Sequence, residues 1–324
     1  YVNFRLVIRI RCDAEDAQCP LGMKFGCDPI KEAPALLRTA RNLGLNVVGV
    51  SFHVGSGCRE PKVFHRAISL CRDIFDYAVT LGYSFNLLDI GGGYPGVRGS
   101  SINEIACVVN KALIEFFPDE SVQVIAEPGR FFVSSAYTLT CKIYSIRQVV
   151  DDNDNTKIQK MYYINDGVYG SFNCILYDHQ VVFPKPLKQH KGAEQYFSSI
   201  WGPTCDGLDQ VVENMMLPEM KMGEWIMFED MGAYTLPVAS EFNGFPIPEV
   251  HYVATEAVWA KLKNIVTIGD RTFKPVDGPV AENIPITISN SNSNNENVIE
   301  LPHYNAKGYS VVAGDHILSY INIS

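Results

Sequence analysis

Leu87-Leu88-Asp89-Ile90-Gly91-Gly92-Gly93-Tyr94-Pro95-Gly96 is the stretch on which the fold turns. An apolar strand over residues 85–90 breaks into three consecutive glycines, and a segment with helical apolar spacing follows over 102–117. Glycine has no Cβ, so a ligand can press directly on its backbone N–H groups. A row of such groups just beyond a strand binds anions, phosphate above all. One glycine there would be a flexible turn. Three of them, between a buried-type strand and a helix, point to a phosphate site.

Outward from this stretch the same unit recurs. Residues 4–10, 46–52, 85–90 and 122–126 are four strand candidates at near-constant spacing. Each is rich in Val, Ile, Leu or Phe on both faces, as parallel strands covered on both sides are. Helical segments lie between them at 35–43, 63–81 and 102–117; the first two stop at Gly44 and Gly82, the third at Pro118. These are βα units of a (β/α) barrel or a doubly wound sheet. Four parallel strands do not close a barrel. With a first residue that is Tyr and a strand already under way by Phe4, the expectation is an N-terminally truncated chain lacking about half of any barrel.

Polar residues gather at the same end of each unit. Arg9 lies near the end of the first strand, and His53 and Ser56 follow the second. Gly91, Gly92 and Gly93 follow the third, and Glu127, Gly129 and Arg130 the fourth. The carboxyl ends of parallel strands are where barrel active sites lie. After Arg130 the texture changes to β-type runs at 131–147, 161–164, 198–201, 224–229 and 250–253, separated by Gly, Pro, Asn and Asp. They predict an antiparallel second domain. The expected division is 1–136 for the α/β part, 137–263 for the all-β part and 264–324 for a flexible tail. Residues 151–155 and 184–191 read as exposed loops, 255–263 as a last helix, and the Asn/Ser run at 290–297 as low-complexity.

Composition limits the function. The chain has 324 residues, 47% hydrophobic and 19% charged, with a net charge of −9. That is a globular composition without the basic excess of a nucleic-acid binder. No run of 18 apolar residues marks a membrane span. Nine cysteines at irregular spacing, without C-x-x-C, favour reduced thiols in a cytoplasmic setting over disulfides or a metal site.

Several longer motifs complete the pattern. They are Val48-Gly-Val-Ser-Phe-His-Val-Gly-Ser-Gly-Cys58, Leu88-Asp-Ile-Gly-Gly-Gly93, Ala126-Glu-Pro-Gly-Arg130 and Asn165-Asp-Gly-Val-Tyr-Gly-Ser-Phe-Asn173. Further on come Leu176-Tyr-Asp178, Trp201-Gly-Pro-Thr-Cys-Asp-Gly-Leu-Asp209 and Met231-Gly-Ala-Tyr-Thr235. In this order they resemble the eukaryotic ornithine decarboxylase family, of the alanine-racemase-like pyridoxal-phosphate fold, from about residue 4 to residue 262. The resemblance implies a (β/α)8 barrel followed by an antiparallel β domain, with pyridoxal 5′-phosphate as cofactor.

The roles it implies are chemically coherent. Gly93, Ser56, Arg130 and Tyr234, with Gly91, Gly92 and Gly129, resemble the phosphate cradle, since a dianion needs N–H, hydroxyl and guanidinium donors. Glu127 resembles the partner of the pyridine nitrogen, whose proton improves the ring as an electron sink. His53 resembles the residue stacked on that ring, although an isolated histidine after a strand also reads as a core residue. Arg9 is expected to hold the carboxylates of the site. Asp178 and Asp206, with Tyr177 and Phe242, resemble the substrate site; two carboxylates would select a diamino acid. Cys205 resembles the acid that returns a proton to carbon after CO2 leaves. Lys24 and Asp209 resemble a salt bridge across a homodimer whose active sites are shared. The lysine that holds the cofactor as a Schiff base is expected before residue 1, as is most of a surface for the regulatory protein antizyme.

The resemblance implies decarboxylation of L-ornithine to putrescine. Two alternatives stay open: a non-catalytic homologue of the antizyme-inhibitor kind, and a related decarboxylase acting on lysine or arginine. The presence of Ser56, Gly93, Arg130, Cys205, Asp206 and Tyr234 favours the enzyme.

Overall fold

The computed structural model describes residues 4–151 and 154–255, with the strand residues 298–300 and 310–313. The chain divides into two compact units, Tyr1–Phe132 and Val133–Ser324.

In chain order the first unit holds β1 (Leu6–Arg11), β2 (Ala17–Cys19), α1 (Ala33–Asn42), β3 (Val47–His53) and β4 (Ser56–Cys58). It continues with α2 (Lys62–Thr80), β5 (Leu87–Asp89), α3 (Asn103–Phe116) and β6 (Gln123–Ile125). Strands β1, β3, β5 and β6 form one all-parallel sheet in that order, as consecutive βα units require. The short β2–β4 ribbon was not expected; it folds the Ser56 segment against Ala17–Cys19.

The helices end as their glycines predict. Gly82 has φ 76°, its N–H donates to the Val79 carbonyl, and the Tyr83 N–H reaches back to Ala78. Gly44 at φ 69° repeats this after α1, with bonds from Gly44 to Arg41 and from Leu45 to Ala40. Both are Schellman closures, which need a left-handed residue just past the helix. Between its ends α2 buries Val63, Phe64, Ala67, Ile68, Cys71, Ile74, Phe75 and Ala78, a stripe at helical spacing.

That stripe covers only one face of the sheet. Ile10, Val50, Phe52 and Leu88 are sealed in the same core as α2. On the other face Arg9, Ser51, Asp89 and Ile125 stand in one row across the four strands. Side chains alternate along a strand, so these four point the same way. This second face is mixed: Val7, Leu87 and Ile125 share it with Arg9, Ser51 and Asp89, which are only half-buried there.

At the boundary between the units the chain differs from the expected strand at 131. A short helix α4 (Gly129–Val133) runs into a 3-10 turn before β7 (Tyr137–Asp151) begins. There follow β8 (Asp154–Ile164), α5 (Asn173–Tyr177), β9 (Pro184–Pro186), β10 (Gln195–Trp201), β11 (Gln210–Pro218), β12 (Trp225–Phe228), β13 (Val250–His251), β14 (Val253–Thr255), β15 (Val298–Glu300) and β16 (Ser310–Ala313). The main sheet runs β11-β10-β8-β7-β12-β9, with β16 beside β7.

This sheet is mixed, which corrects the antiparallel expectation: β8 pairs with β10, and β13 with β16, in parallel. Residues 184–186, expected in a loop, pair with β12. Strand β11, not foreseen, forms the edge beside β10. The expected helix at 255–263 lies outside the described residues, apart from Thr255, which ends β14. The expected flexible tail lies mostly outside them too, but β15 pairs with β14 and β16 joins the main sheet. Tyr162, Phe172, Ile200, Ile226 and Phe228 centre the core of this unit.

Candidate active site

In the first unit the site forms where the polar row continues past the strand ends. Two residues beyond Ser51, Asp89 and Ile125 come His53, Gly91 and Glu127, whose backbones interlock. The Glu127 N–H donates to the Gly91 carbonyl at 2.7 Å, and the Cys58 N–H to that of Gly93 at 2.7 Å. All three glycines are buried. A Cβ on Gly92 would stand 2.7 Å from His53 Nε2 and 2.8 Å from the Glu127 carbonyl oxygen. One on Gly91 would fall 2.0 Å from the Phe52 carbonyl oxygen. Only glycine fits, and the loop is drawn tight against the ends of β3 and β6.

Arg130 and Ser56 complete this cradle. Both are buried at 8% exposure, and the guanidinium donates through Nε and Nη2 to Ser56 Oγ at 3.1 and 2.9 Å. Gly129, directly before Arg130, donates its N–H to the Glu127 carbonyl and starts α4. A planar cation, a hydroxyl and a tight glycine loop are the donor types a phosphate dianion takes. The residues present therefore fit the phosphate end of pyridoxal phosphate.

The charges are ordered. Burial, with the Arg9 guanidinium, pushes His53 down to about 4, so at neutral pH the imidazole is neutral. Its Nδ1 accepts from the Gly55 N–H at 3.0 Å, which leaves the proton on Nε2. Glu127 is raised, by desolvation first and the Asp89 carboxylate next, against the pull of Arg9. Arg9 also lies over the Phe25 ring at 5.0 Å, with Lys24 Nζ over the same ring at 5.1 Å. Asp89 was missed in the sequence. Its Oδ1 accepts from the Gly91 N–H at 2.9 Å, so it braces the first glycine as well as acting on Glu127. Its strand position, two residues before Gly91, carried that signal.

The second unit gathers its own set. Asp178 is buried at the end of α5, while Tyr177 is exposed. Cys205 is exposed; its N–H and Sγ each lie 3.3 Å from Asn243 Oδ1, beside Phe242. Tyr234 sits half-exposed at φ 55°. The next residue is tied down: the Asn173 side chain donates to the Thr235 carbonyl at 2.7 Å.

Asp209, expected to pair with Lys24 across a dimer, is tied down within its own unit. It is 1% exposed, and its carboxylate accepts from Val168 N–H, Thr204 N–H and the Thr204 hydroxyl at 2.8, 2.9 and 2.7 Å. It stitches loop 165–173 to loop 202–209. Asp166, also unforeseen, is pushed up to about 6 by burial and holds the Gly167 and Ser171 N–H groups.

Comparison with known proteins agrees with this chemistry. Residues 1–134 match the model of the pyridoxal-dependent decarboxylase family, pyridoxal binding domain. The chain is similar to Mus musculus ornithine decarboxylase, 49% identical over 276 residues, which is 82% of this chain and 60% of that protein. It is also similar to Xenopus laevis antizyme inhibitor 2, 48% identical over 268 residues, 79% of this chain and 58% of that one. Among solved structures, Paramecium bursaria Chlorella virus arginine decarboxylase bound to agmatine superposes with a TM-score of 0.68 at 36% identity, covering 74% of this chain and 63% of that one. The chain thus spans about three fifths of the length of these relatives. Among the described residues no helix is long and apolar enough to cross a membrane, and no cluster of His, Cys, Asp and Glu could hold a metal.

Proposed function

We propose that this chain, which belongs to the pyridoxal-dependent decarboxylase family, works within a longer protein to decarboxylate L-ornithine to putrescine, an entry to polyamine synthesis. The observation that carries the reading is the buried Arg130–Ser56 pair beside the Gly91–Gly93 cradle, with Glu127 next to it. When bound, pyridoxal phosphate supplies a sink for the electron pair left behind by CO2.

The protein's own residues do the rest. Ser56, Arg130 and the glycine N–H groups, joined by Tyr234, bind the phosphate. Glu127 holds the proton on the ring nitrogen. His53, neutral and half-buried, supplies a flat surface for the ring. Asp178 and Asp206, flanked by Tyr177 and Phe242, take the distal amine of the substrate. Cys205 delivers a proton to the carbon that has lost CO2. In this reading the protein is a cytoplasmic homodimer with shared sites, Lys24 meets Asp209 across the interface, and antizyme is a partner.

The test uses the complete protein. Glu127→Ala should cut turnover of ornithine severely and leave most of the affinity for pyridoxal phosphate, because the phosphate donors are untouched. Near-normal turnover would remove Glu127 from this role. Ornithine, lysine and arginine assayed side by side decide the chain length of the substrate. A second reading, a non-catalytic antizyme-inhibitor-like protein, draws on the 48% identity to antizyme inhibitor 2. Failure of the complete protein to bind pyridoxal phosphate or release CO2, with antizyme still bound, would favour it.

A further inference from the structure

Tyr169 ties together residues from three loops. It lies in the middle of loop 165–173, and its hydroxyl donates to Asp206 Oδ2. Its ring lies against that of Phe242, with centroids 4.3 Å apart and planes inclined by 35°. Its own carbonyl accepts from both the N–H and the hydroxyl of Ser240, at 2.9 and 3.0 Å. The neighbouring Val168 N–H is held by the buried carboxylate of Asp209 at 2.8 Å. Loops 165–173, 202–209 and 240–245 therefore meet at one phenol.

The consequence for Asp206 is directional. Its Oδ1 accepts from the Leu208 N–H at 2.9 Å, and its Oδ2 from Tyr169. A carboxylate fixed at both oxygens presents its remaining lone pairs along set directions, so a cation must come to it. The Phe242 ring, which would flank the methylene chain of a diamino acid, is set by the same tyrosine.

We propose that Tyr169 is a positioning residue that determines diamino-acid chain length, by fixing the Asp206 carboxylate and the Phe242 ring relative to each other. The inference rests on the reading of Asp206 as a partner of the distal amine. The charge states suit it. Asp206 is held below the usual carboxylate range, by the Leu208 N–H first and the Tyr169 hydroxyl second. The Tyr169 phenol is pushed up to about 12 by the same hydrogen bond, so it stays a donor at neutral pH.

The test compares Tyr169→Phe, Asp206→Asn and the double variant in the complete, cofactor-loaded protein. Tyr169→Phe keeps the ring against Phe242 and removes only the hydroxyl. The expected result is a KM for ornithine raised about tenfold, the loss of one hydrogen bond to a charged group. We expect kcat within about twofold of the parent, because one remote hydrogen bond acts on binding alone. The preference for ornithine over lysine should fall, and the melting temperature should hold. A tyrosine with only a packing role would leave that KM-against-kcat split and that preference unchanged. The double variant should be no worse than Asp206→Asn alone, since the hydroxyl acts through that carboxylate. Tyr169→Leu, which also removes the ring, should widen the substrate range further. An unchanged KM and preference in Tyr169→Phe, with Asp206→Asn impaired, would overturn the inference and leave the assignment of Asp206 standing. A normal KM in Asp206→Asn would overturn both.

Discussion

The Arg130 guanidinium reaches Ser56 Oγ with two nitrogens, at 3.1 and 2.9 Å, although 74 residues separate the two in the chain. Ser56 opens β4 just past β3, and Arg130 lies in the short helix after β6. Their meeting joins the ends of the sheet beneath the glycine loop. The two bonds fix the guanidinium and the hydroxyl relative to each other.

The two residues should therefore be separable by affinity. In the complete protein Arg130→Ala should weaken pyridoxal phosphate about 10- to 100-fold, the value of charge-assisted bonds to phosphate. Ser56→Ala, which removes a neutral donor, should cost only about 3- to 10-fold. Titration with the cofactor, followed by absorbance, measures both. Equal losses would mean that Ser56 acts mainly by holding Arg130.

His53 gives a pH-dependent signature. Its pKa in the folded state is about 4, below the ordinary imidazole value of 6.5. The unfolded chain therefore takes up this proton first as pH falls. The stability associated with neutral His53 is fully present above pH 6.5 and is lost as pH drops from there towards 4. His53→Gln should flatten this part of the profile in urea unfolding measured across that range. Arg9→Met removes one of the two causes, so the imidazole should titrate higher, which NMR of the ring protons would detect. A His53 that titrates at its ordinary value in the parent protein would refute the assignment.

Tyr94 gives a prediction about stability alone. It is 4% exposed, stacks on Phe64 with centroids 5.2 Å apart, and its hydroxyl has no hydrogen-bond partner among the described residues. Burial, and then the Asp89 carboxylate, raise its pKa, so the phenol is neutral. A buried donor without a partner costs about 1–3 kcal/mol, and Tyr94→Phe removes that cost without opening a cavity. The variant should be more stable by about 1 kcal/mol in denaturant unfolding. A loss of stability would mean that the hydroxyl is satisfied in solution.

Much of this was legible in the sequence, for identifiable reasons. The βα periodicity and the glycines at 44 and 82 mark helices and their ends, because those signals are local. Ser56, the glycine run, Glu127 and Arg130 stand at strand ends, where the parallel order brings them together. Asp89 was overlooked because an aspartate inside an apolar run looks incidental until the register aligns it with Arg9. The parallel β8–β10 pairing was hidden, since short β runs separated by turns suggest neighbours in sequence. Asp209 is legible only as a partner for Lys24 across a dimer, because no sequence pattern shows that Val168 and Thr204 converge on it.

The last prediction concerns residues 1–324 expressed alone. The first unit contains four lysines, Lys24, Lys31, Lys62 and Lys111. All four are exposed, and none lies on one of the four parallel strands or directly follows its end. None is therefore set beside the Gly91–Gly93 cradle as Arg130 and Ser56 are. The face of the sheet that carries Arg9, Ser51 and Asp89 is partly open, and the outer strands leave Leu6, Val7, Val124 and Ile125 between 37% and 39% exposed. Exposed apolar residues on outer strands favour association between chains. The expected outcome is a poorly soluble product that binds pyridoxal phosphate reversibly and does not decarboxylate ornithine. Borohydride treatment followed by dialysis and mass spectrometry should find no lysine carrying the cofactor. A reduced adduct on one of these four lysines, together with turnover of ornithine, would overturn the argument and place the covalent anchor within this chain.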